Sequence, residues 1–268
     1  MSGFLASVRS CAEARLALAG GADIIDVKEP SAGALGSVDR PTLAGIIRTL
    51  QGCRPVSATI GDVSLVPENI VARVTETAAT GVDIVKIGIF SGDLDATLDA
   101  LAPLARRGIR LVAVIFADRA PDLDALVPRC AAAGFAGIML DTAEKGAGSL
   151  TSHLSLAALA RFVGLARRHR LLSGLAGSLR LVDIPDVGAL GADYLGFRSA
   201  LTVGGRDRSL DVTALHAVRA ALRSAAPTDG GRIHLPWSSN ATEMAVARSA
   251  AAAESVGFAN RTVASKAR

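Results

Sequence analysis

A chain of 268 residues, half of them hydrophobic and a fifth charged, can bury one large core, which excludes a disulfide-stapled miniprotein and a disordered tail protein. Its net charge of +4 comes from scattered basic residues, and with 3% aromatics it has neither the basic patch nor the stacking surface of a nucleic-acid binder. The mean hydropathy of +0.39 reflects alanine, and no apolar run of about 18 residues is free of charge, so no helical membrane span is expected.

The first residues, Met1 to Arg9, carry no basic segment ahead of their apolar run, and Arg9 and Glu13 close it too early for a signal peptide. Cys11, Cys53 and Cys130 form no CxxC pair and leave an odd thiol, which fits a reducing, cytoplasmic setting and argues against zinc. Eight short apolar runs follow in order, at residues 3–8, 23–28, 55–61, 83–89, 110–117, 136–141, 171–177 and 193–199. Alanine- and leucine-rich segments of helical period follow each of them, near 10–20, 39–50, 67–80, 94–107, 122–133, 152–170, 180–190 and 210–225. The one dense basic cluster, Arg167, Arg168, His169 and Arg170, closes such a helix, where cations favour the exposed carbonyls. Eight strand–helix units predict an α/β chain folded as a closed (β/α)8 TIM barrel over residues 1–225. An open doubly wound sheet is the alternative, but the first strand–helix turn, Val8-Arg9-Ser10-Cys11-Ala12, lacks its glycine-rich fingerprint.

An internal echo marks where helices hand over to strands: Gly21-Ala22-Asp23, Gly81-Val82-Asp83 and Gly191-Ala192-Asp193, with looser copies at Gly108 and Gly134. Glycine suits the left-handed position past a helix end, so each copy reads as helix stop, turn and buried strand. Beyond residue 225 the texture changes: Pro227-Thr228-Asp229-Gly230-Gly231 breaks the last helix, and Asn240 can cap a helix in the alanine-rich stretch from Ala241 to Glu254. This C-terminal extension, 226–268, is free to pack on the barrel, join a neighbouring subunit of a homo-oligomer, or stay mobile.

Only four of the 29 basic residues are lysines, Lys28, Lys86, Lys145 and Lys266, and the first three fall at or just beyond the carboxyl ends of strands 2, 4 and 6. That rim is where barrel active sites form. In Ile24-Ile25-Asp26-Val27-Lys28 the two charges share one face, and Lys86 stands among apolar neighbours. A desolvated lysine beside another cation can lose its proton and attack a carbonyl, which an arginine cannot do. The bland reading is an Asp26–Lys28 ion pair that fixes the barrel, with Lys86 snorkelling to the rim. Asp141, ending strand 6, is placed to orient a lysine or move protons, unless it merely caps the loop that carries Lys145.

The last two strand ends, Leu175-Ala176-Gly177-Ser178 and Gly196-Phe197-Arg198-Ser199, with Gly204-Gly205-Arg206 beyond, suggest a phosphate site built from Gly177, Ser178 and Arg198. Strand 3 brings Ser57, Thr59 and Asp62 near the same rim without a specific pattern. His153, His169, His216 and His234 fall in helices or the tail and read as structural or solvent-facing, so no metal constellation is expected.

Four segments, Gly21-Ala22-Asp23-Ile24-Ile25-Asp26-Val27-Lys28, Pro55-Val56-Ser57-Ala58-Thr59-Ile60-Gly61-Asp62, Asp141-Thr142-Ala143-Glu144-Lys145 and Leu175-Ala176-Gly177-Ser178-Leu179, together resemble the (5-formylfuran-3-yl)methyl phosphate synthase family over residues 4–222. The resemblance implies a barrel that condenses two glyceraldehyde 3-phosphate molecules into a furan aldehyde phosphate for methanofuran. It assigns Lys28 as the Schiff-base lysine, Lys86 as the proton-transferring lysine, and Asp26, Asp141 and Lys145 as the remaining charged site residues. It implies triose phosphates as partners and no cofactor, with a second phosphate near residues 31–36 after strand 2. A class I aldolase and a non-catalytic phosphometabolite-binding barrel remain the alternatives.

Overall fold

The computed structural model describes residues 1–225; the extension at 226–268, with His234, Asn240 and Lys266, lies outside the described residues. Each apolar run forms a strand: β1 (Gly3–Val8), β2 (Ile24–Val27), β3 (Val56–Thr59), β4 (Ile84–Gly88), β5 (Leu111–Phe116), β6 (Gly137–Asp141), β7 (Leu172–Leu175) and β8 (Tyr194–Phe197). All pair in parallel and in sequence order, and β1 closes the circle by pairing Gly3 with Tyr194 and Ala6 with Phe197 of β8. The chain is therefore a closed eight-stranded α/β barrel. The helices between are α1 (Cys11–Ala19), α2 (Arg40–Leu50), α3 (Pro67–Ala78), α4 (Leu94–Arg106), α5 (Leu123–Ala132), α6 (Leu150–His153), α7 (Leu156–Arg168), α8 (Ile184–Ala189) and α9 (Val212–Ser224). None is long and apolar enough to cross a membrane, among the described residues.

Alternation along the strands separates two cores. Phe4, Ala6, Val8, Ile25, Val27, Val85, Ile87, Ala113 and Leu140 join the cluster that packs under the helices, while the inward set includes Leu5, Ile24, Val112, Val114, Met139 and Tyr194. The buried Tyr194 ring fits because Gly174 faces it: a Cβ there would lie 2.4 Å from the ring.

The echoed Gly-X-Asp triplets build the amino-terminal rim. Gly21, Gly81 and Gly191 take the positive φ that ends a helix (80°, 86° and 72°). The aspartates then accept an N–H at the start of a neighbouring strand: Asp23 from Phe4, Asp83 from Val56 and Asp193 from Ser173, at 2.7–2.8 Å. These N–H groups lie at the amino-terminal edge of the barrel, and the carboxylates satisfy them as donors there.

Two expected helices are divided. The segment expected over 152–170 becomes α6 and α7, because Leu154 is extended and the Ser155 hydroxyl accepts from Ala158 N, starting a new helix. The segment over 180–190 is a single turn at Leu181–Asp183 followed by the six-residue α8, with Pro185 in its first turn. Both changes lie in the helical layer and leave the strand ends in place.

Candidate active site

Three even-numbered strands supply the charges. β2 carries Asp26 and, one residue past its end, Lys28; β4 carries Lys86; β6 ends on Asp141, and its loop carries Lys145. Asp26 and Lys28 share the inward face but stand roughly 7 Å apart along the strand. They consequently meet different partners, and the Asp26–Lys28 ion pair of the bland reading is replaced by two separate pairs one layer apart.

The deeper layer centres on Asp26. Strand register sets Ser7 of β1 on one side and Ser57 of β3 on the other. Ser57 Oγ donates to Oδ1 at 2.6 Å, Ser7 Oγ to Oδ2 at 3.1 Å, and Lys86 Nζ to Oδ1 at 2.9 Å. Burial works to raise the Asp26 carboxyl, but Lys86, Lys28 and the Ser57 hydrogen bond together hold it below its ordinary range. Lys86 is 2% exposed and is not among the residues that line the open cleft, and it meets that cleft through its bond to Asp26.

The upper layer centres on Asp141. Lys145 Nζ and Thr142 N both donate to Oδ1, the latter at 2.8 Å. Lys28 Nζ stands 3.9 Å from Oδ2, a buried oxygen with no hydrogen-bond partner among the described residues. The carboxyl is held down to about 2: burial opposes this, and the ammonium groups of Lys145 and Lys28 outweigh it. For Lys28, burial is the largest influence and lowers the ammonium, Lys145 and Lys86 lower it further, Asp141 and Asp26 resist, and the result is about 8 against an ordinary 10.5. That fall raises the neutral-amine fraction near pH 7 by roughly 300-fold. A buried primary amine, partly neutral, beside an unpartnered carboxylate oxygen is equipped to form an imine and hand off the proton.

The sequence matches the family described as 4-HFC-P synthase over residues 4–219. The chain belongs to the 4-HFC-P synthase family. It is 43% identical over 227 residues to the "Putative (5-formylfuran-3-yl)methyl phosphate synthase" of Methylorubrum extorquens, covering 82% of this chain and 93% of that one. It is 37% identical over 218 residues to the (5-formylfuran-3-yl)methyl phosphate synthase of Methanopyrus kandleri, covering 77% and 92%. Among solved structures, 3-hexulose-6-phosphate synthase from Salmonella typhimurium superposes with a TM-score of 0.57 at 15% identity, covering 84% of this chain and all of that one. Phosphoribosyl anthranilate isomerase from Thermus thermophilus does so with a TM-score of 0.60 at 17% identity, again over 84% and all of the other chain. At these identities the structures attest the barrel alone.

In this member of the 4-HFC-P synthase family, Lys28, Lys145, Asp26 and Asp141 line an open cleft together with Gly177, Ser178, Ser199 and Arg206. All five charged residues singled out from the sequence thus converge, Lys86 through Asp26. Gly177 has φ +103° and packs so closely that a Cβ would lie 2.9 Å from Thr142 Cγ2. Ser178 Oγ donates to Lys145 O at 3.2 Å, and Asp118, which carried no signal in the sequence, accepts from Ala143 N and Glu144 N at 2.9 and 2.7 Å. These contacts grip the Lys145 loop from both sides. On the β2 side Asp62 does the same for Ala34 N and Leu35 N, at 2.9 and 2.7 Å.

Arg198 departs from its expected role. Its side chain borders the cleft, yet every N–H of its guanidinium has a protein acceptor: Glu13 Oε2 at 2.6 Å and Oε1 at 3.2 Å, Ser7 O at 3.1 Å, Arg206 O at 2.8 Å and Arg208 O at 2.8 Å. With its donors spent, Arg198 serves as a staple between β1, α1 and the loop after β8, and a direct phosphate contact from it would have to break these bonds. Glu13 lies 185 residues away in sequence, so no local pattern revealed the pair. His153, His169 and His216 lie on α6, at the end of α7 and on α9, away from the cleft lining.

Proposed function

We propose that this chain condenses two molecules of glyceraldehyde 3-phosphate into (5-formylfuran-3-yl)methyl phosphate through an imine on Lys28. This would be a Schiff-base lyase step in methanofuran biosynthesis, tied to tetrahydromethanopterin-dependent one-carbon metabolism. The observation that carries the reading is the Lys28 amine, brought to about 8 by burial and held 3.9 Å from the open oxygen of Asp141. Support also comes from membership of a family whose relatives bear that synthase name.

In this scheme Lys28 Nζ adds to the aldehyde carbon of the first triose phosphate, and water leaves to give the imine. Asp141, held ionised by Lys145 before substrate adds, takes at Oδ2 the proton shed by the attacking amine. The protonated imine acidifies the adjacent C–H, whose proton is taken up by the Asp26–Lys86 pair with the ionised Asp26 carboxylate as its basic member, and the enamine carbon bonds to the aldehyde of the second triose. Ring closure by a hydroxyl of the second triose displaces Lys28 from the imine carbon and returns its amine; one phosphate and, in net, two waters are lost over the whole reaction with no change in oxidation level, so the chemistry calls for no redox cofactor. Gly177 and Ser178 form one wall for a phosphate, and the turn at residues 31–36 provides room for the second.

Borohydride added with glyceraldehyde 3-phosphate should load the wild type covalently and leave Lys28→Ala unlabelled. Equal labelling of the variant would overturn the imine assignment. A furan-aldehyde absorbance in the product, with release of inorganic phosphate, separates ring formation from plain aldol addition and from mere binding.

A further inference from the structure

The loop after β8 holds a cation whose position the proposed chemistry has not used. Thr202 and Leu210 bridge in antiparallel fashion and close the loop at its base. Gly204 and Gly205, at φ +82° and +127°, turn the chain just before Arg206. Arg198 fixes the far side by donating to the carbonyls of Arg206 and Arg208, both at 2.8 Å, and Arg198 is itself clamped by Glu13. The backbone beneath Arg206 is therefore held rigidly, which is how a protein presents a side chain to a ligand at low entropic cost.

The side chain on that platform is underused. Among the described residues, its hydrogen bonding consists of one long contact, Nη2 to Gly33 O at 3.4 Å, across the mouth to the loop after β2. It forms no salt bridge among the described residues. Its partial burial takes more from the charged form than Asp141, Asp207 and Asp62 return, and Asp62 is committed to the amides of Ala34 and Leu35. The other charges at the mouth balance differently. Arg198 is matched by Glu13 and Lys86 by Asp26, whereas Lys28 and Lys145 share the single carboxylate of Asp141. With Lys28 protonated, the charged residues that line the cleft, taken with their partners Glu13 and Lys86, carry two positive charges in excess, the complement of a dianion, while the carboxylates of Asp62 and Asp207 stand beyond that lining.

We infer that Arg206 is the phosphate-gripping residue of this cleft, exchanging its long bond to Gly33 O for a forked contact to a substrate phosphate held between the β8 and β2 loops, with Arg198 as its positioning residue. The inference deepens the proposed triose-phosphate reading by naming the group that recognises the anion. It also explains why the arginine closest to strand 8 is spent on carbonyls: a staple at Arg198 sets the fork at Arg206.

Inorganic phosphate is the direct probe, because it tests the grip without any imine. Calorimetric titration should show phosphate binding to the wild type weakened about 10- to 100-fold in Arg206→Gln, with Arg206→Lys in between because a lysine cannot fork. Arg206 makes one weak contact, so the variants should melt at the wild-type temperature. In borohydride trapping, the concentration of glyceraldehyde 3-phosphate for half-loading should rise by a similar factor in Arg206→Gln, while trapping of unphosphorylated glyceraldehyde stays unchanged. Equal phosphate affinity in wild type and Arg206→Gln overturns the inference, as does an equal loss with both aldehydes. Arg206-dependent phosphate binding in a protein that makes no furan aldehyde would overturn the proposed reaction and leave the anion grip standing.

Discussion

The two rims of the barrel use aspartate in opposite ways. At the amino-terminal rim Asp23, Asp83 and Asp193 accept backbone N–H groups at the starts of strands, and Asp193 also takes the Ser173 hydroxyl at 2.8 Å. At the carboxyl-terminal rim Asp26 and Asp141 are 0–1% exposed and collect lysines instead. The first arrangement satisfies donors the fold creates anyway and so adds stability. The second gathers charges that burial penalises, with one carboxylate oxygen left open, and such an arrangement stores a cost that only chemistry explains.

Substitutions at the two rims should therefore separate activity from stability. The largest effect is expected for Lys28→Arg, which keeps the positive charge and removes the neutral amine: turnover and borohydride labelling should fall by more than about 1,000-fold with the melting temperature little changed. Residual turnover within about tenfold of wild type would place the nucleophile elsewhere. Lys86→Met comes next and should affect both properties, because it strands the buried Asp26 carboxylate. A loss of about 3–5 kcal/mol in urea unfolding is expected together with lost turnover. Asp193→Ala, at the opposite rim, should cost about 1–3 kcal/mol and leave turnover per folded molecule within about twofold of wild type. A selective loss of turnover there would break the division between the rims.

The same contrast sorts what could be read from the sequence. Strands were legible because parallel barrel strands are buried on both faces and stand out as apolar runs, and the Gly-X-Asp echo revealed the repeating unit because the same backbone need recurs at each strand start. Lys28, Lys86 and Lys145 were legible because arginine does nearly all the surface work. Which lysine meets which carboxylate was not, since it depends on the layer each residue reaches and on strand register. The fate of Arg198 depends on Glu13, carried by α1. Arg206 was quoted within a glycine-rich turn, where nothing local marks its guanidinium as the one left with spare donors.

The pH dependence tests the upper layer itself. Labelling at Lys28 should rise with pH through about 8, where its amine becomes neutral. Stability linkage has a defined sign: the folded amine binds its proton less tightly than the unfolded one, so the burial cost is fully present below about 8 and is relieved as pH climbs toward 10.5. For Asp141 the slope has the same sign but the contribution is favourable: it is present above the ordinary 3.8 and is lost as pH falls toward about 2.

The smallest effect is the most discriminating. Lys145 lowers the Lys28 ammonium directly, as a like charge, and it also occupies Asp141, which would otherwise favour the Lys28 ammonium more strongly. Lys145→Ala removes both influences, and both changes stabilise the charged amine. The midpoint of the labelling profile should consequently move upward from about 8, by roughly half a unit to one unit. Labelling at Lys28 reads this shift even where turnover is lost, because it reports imine formation alone. A midpoint that stays put or moves down would mean that Asp141 is not shared between the two amines, and the upper layer would then reduce to an ordinary ion pair.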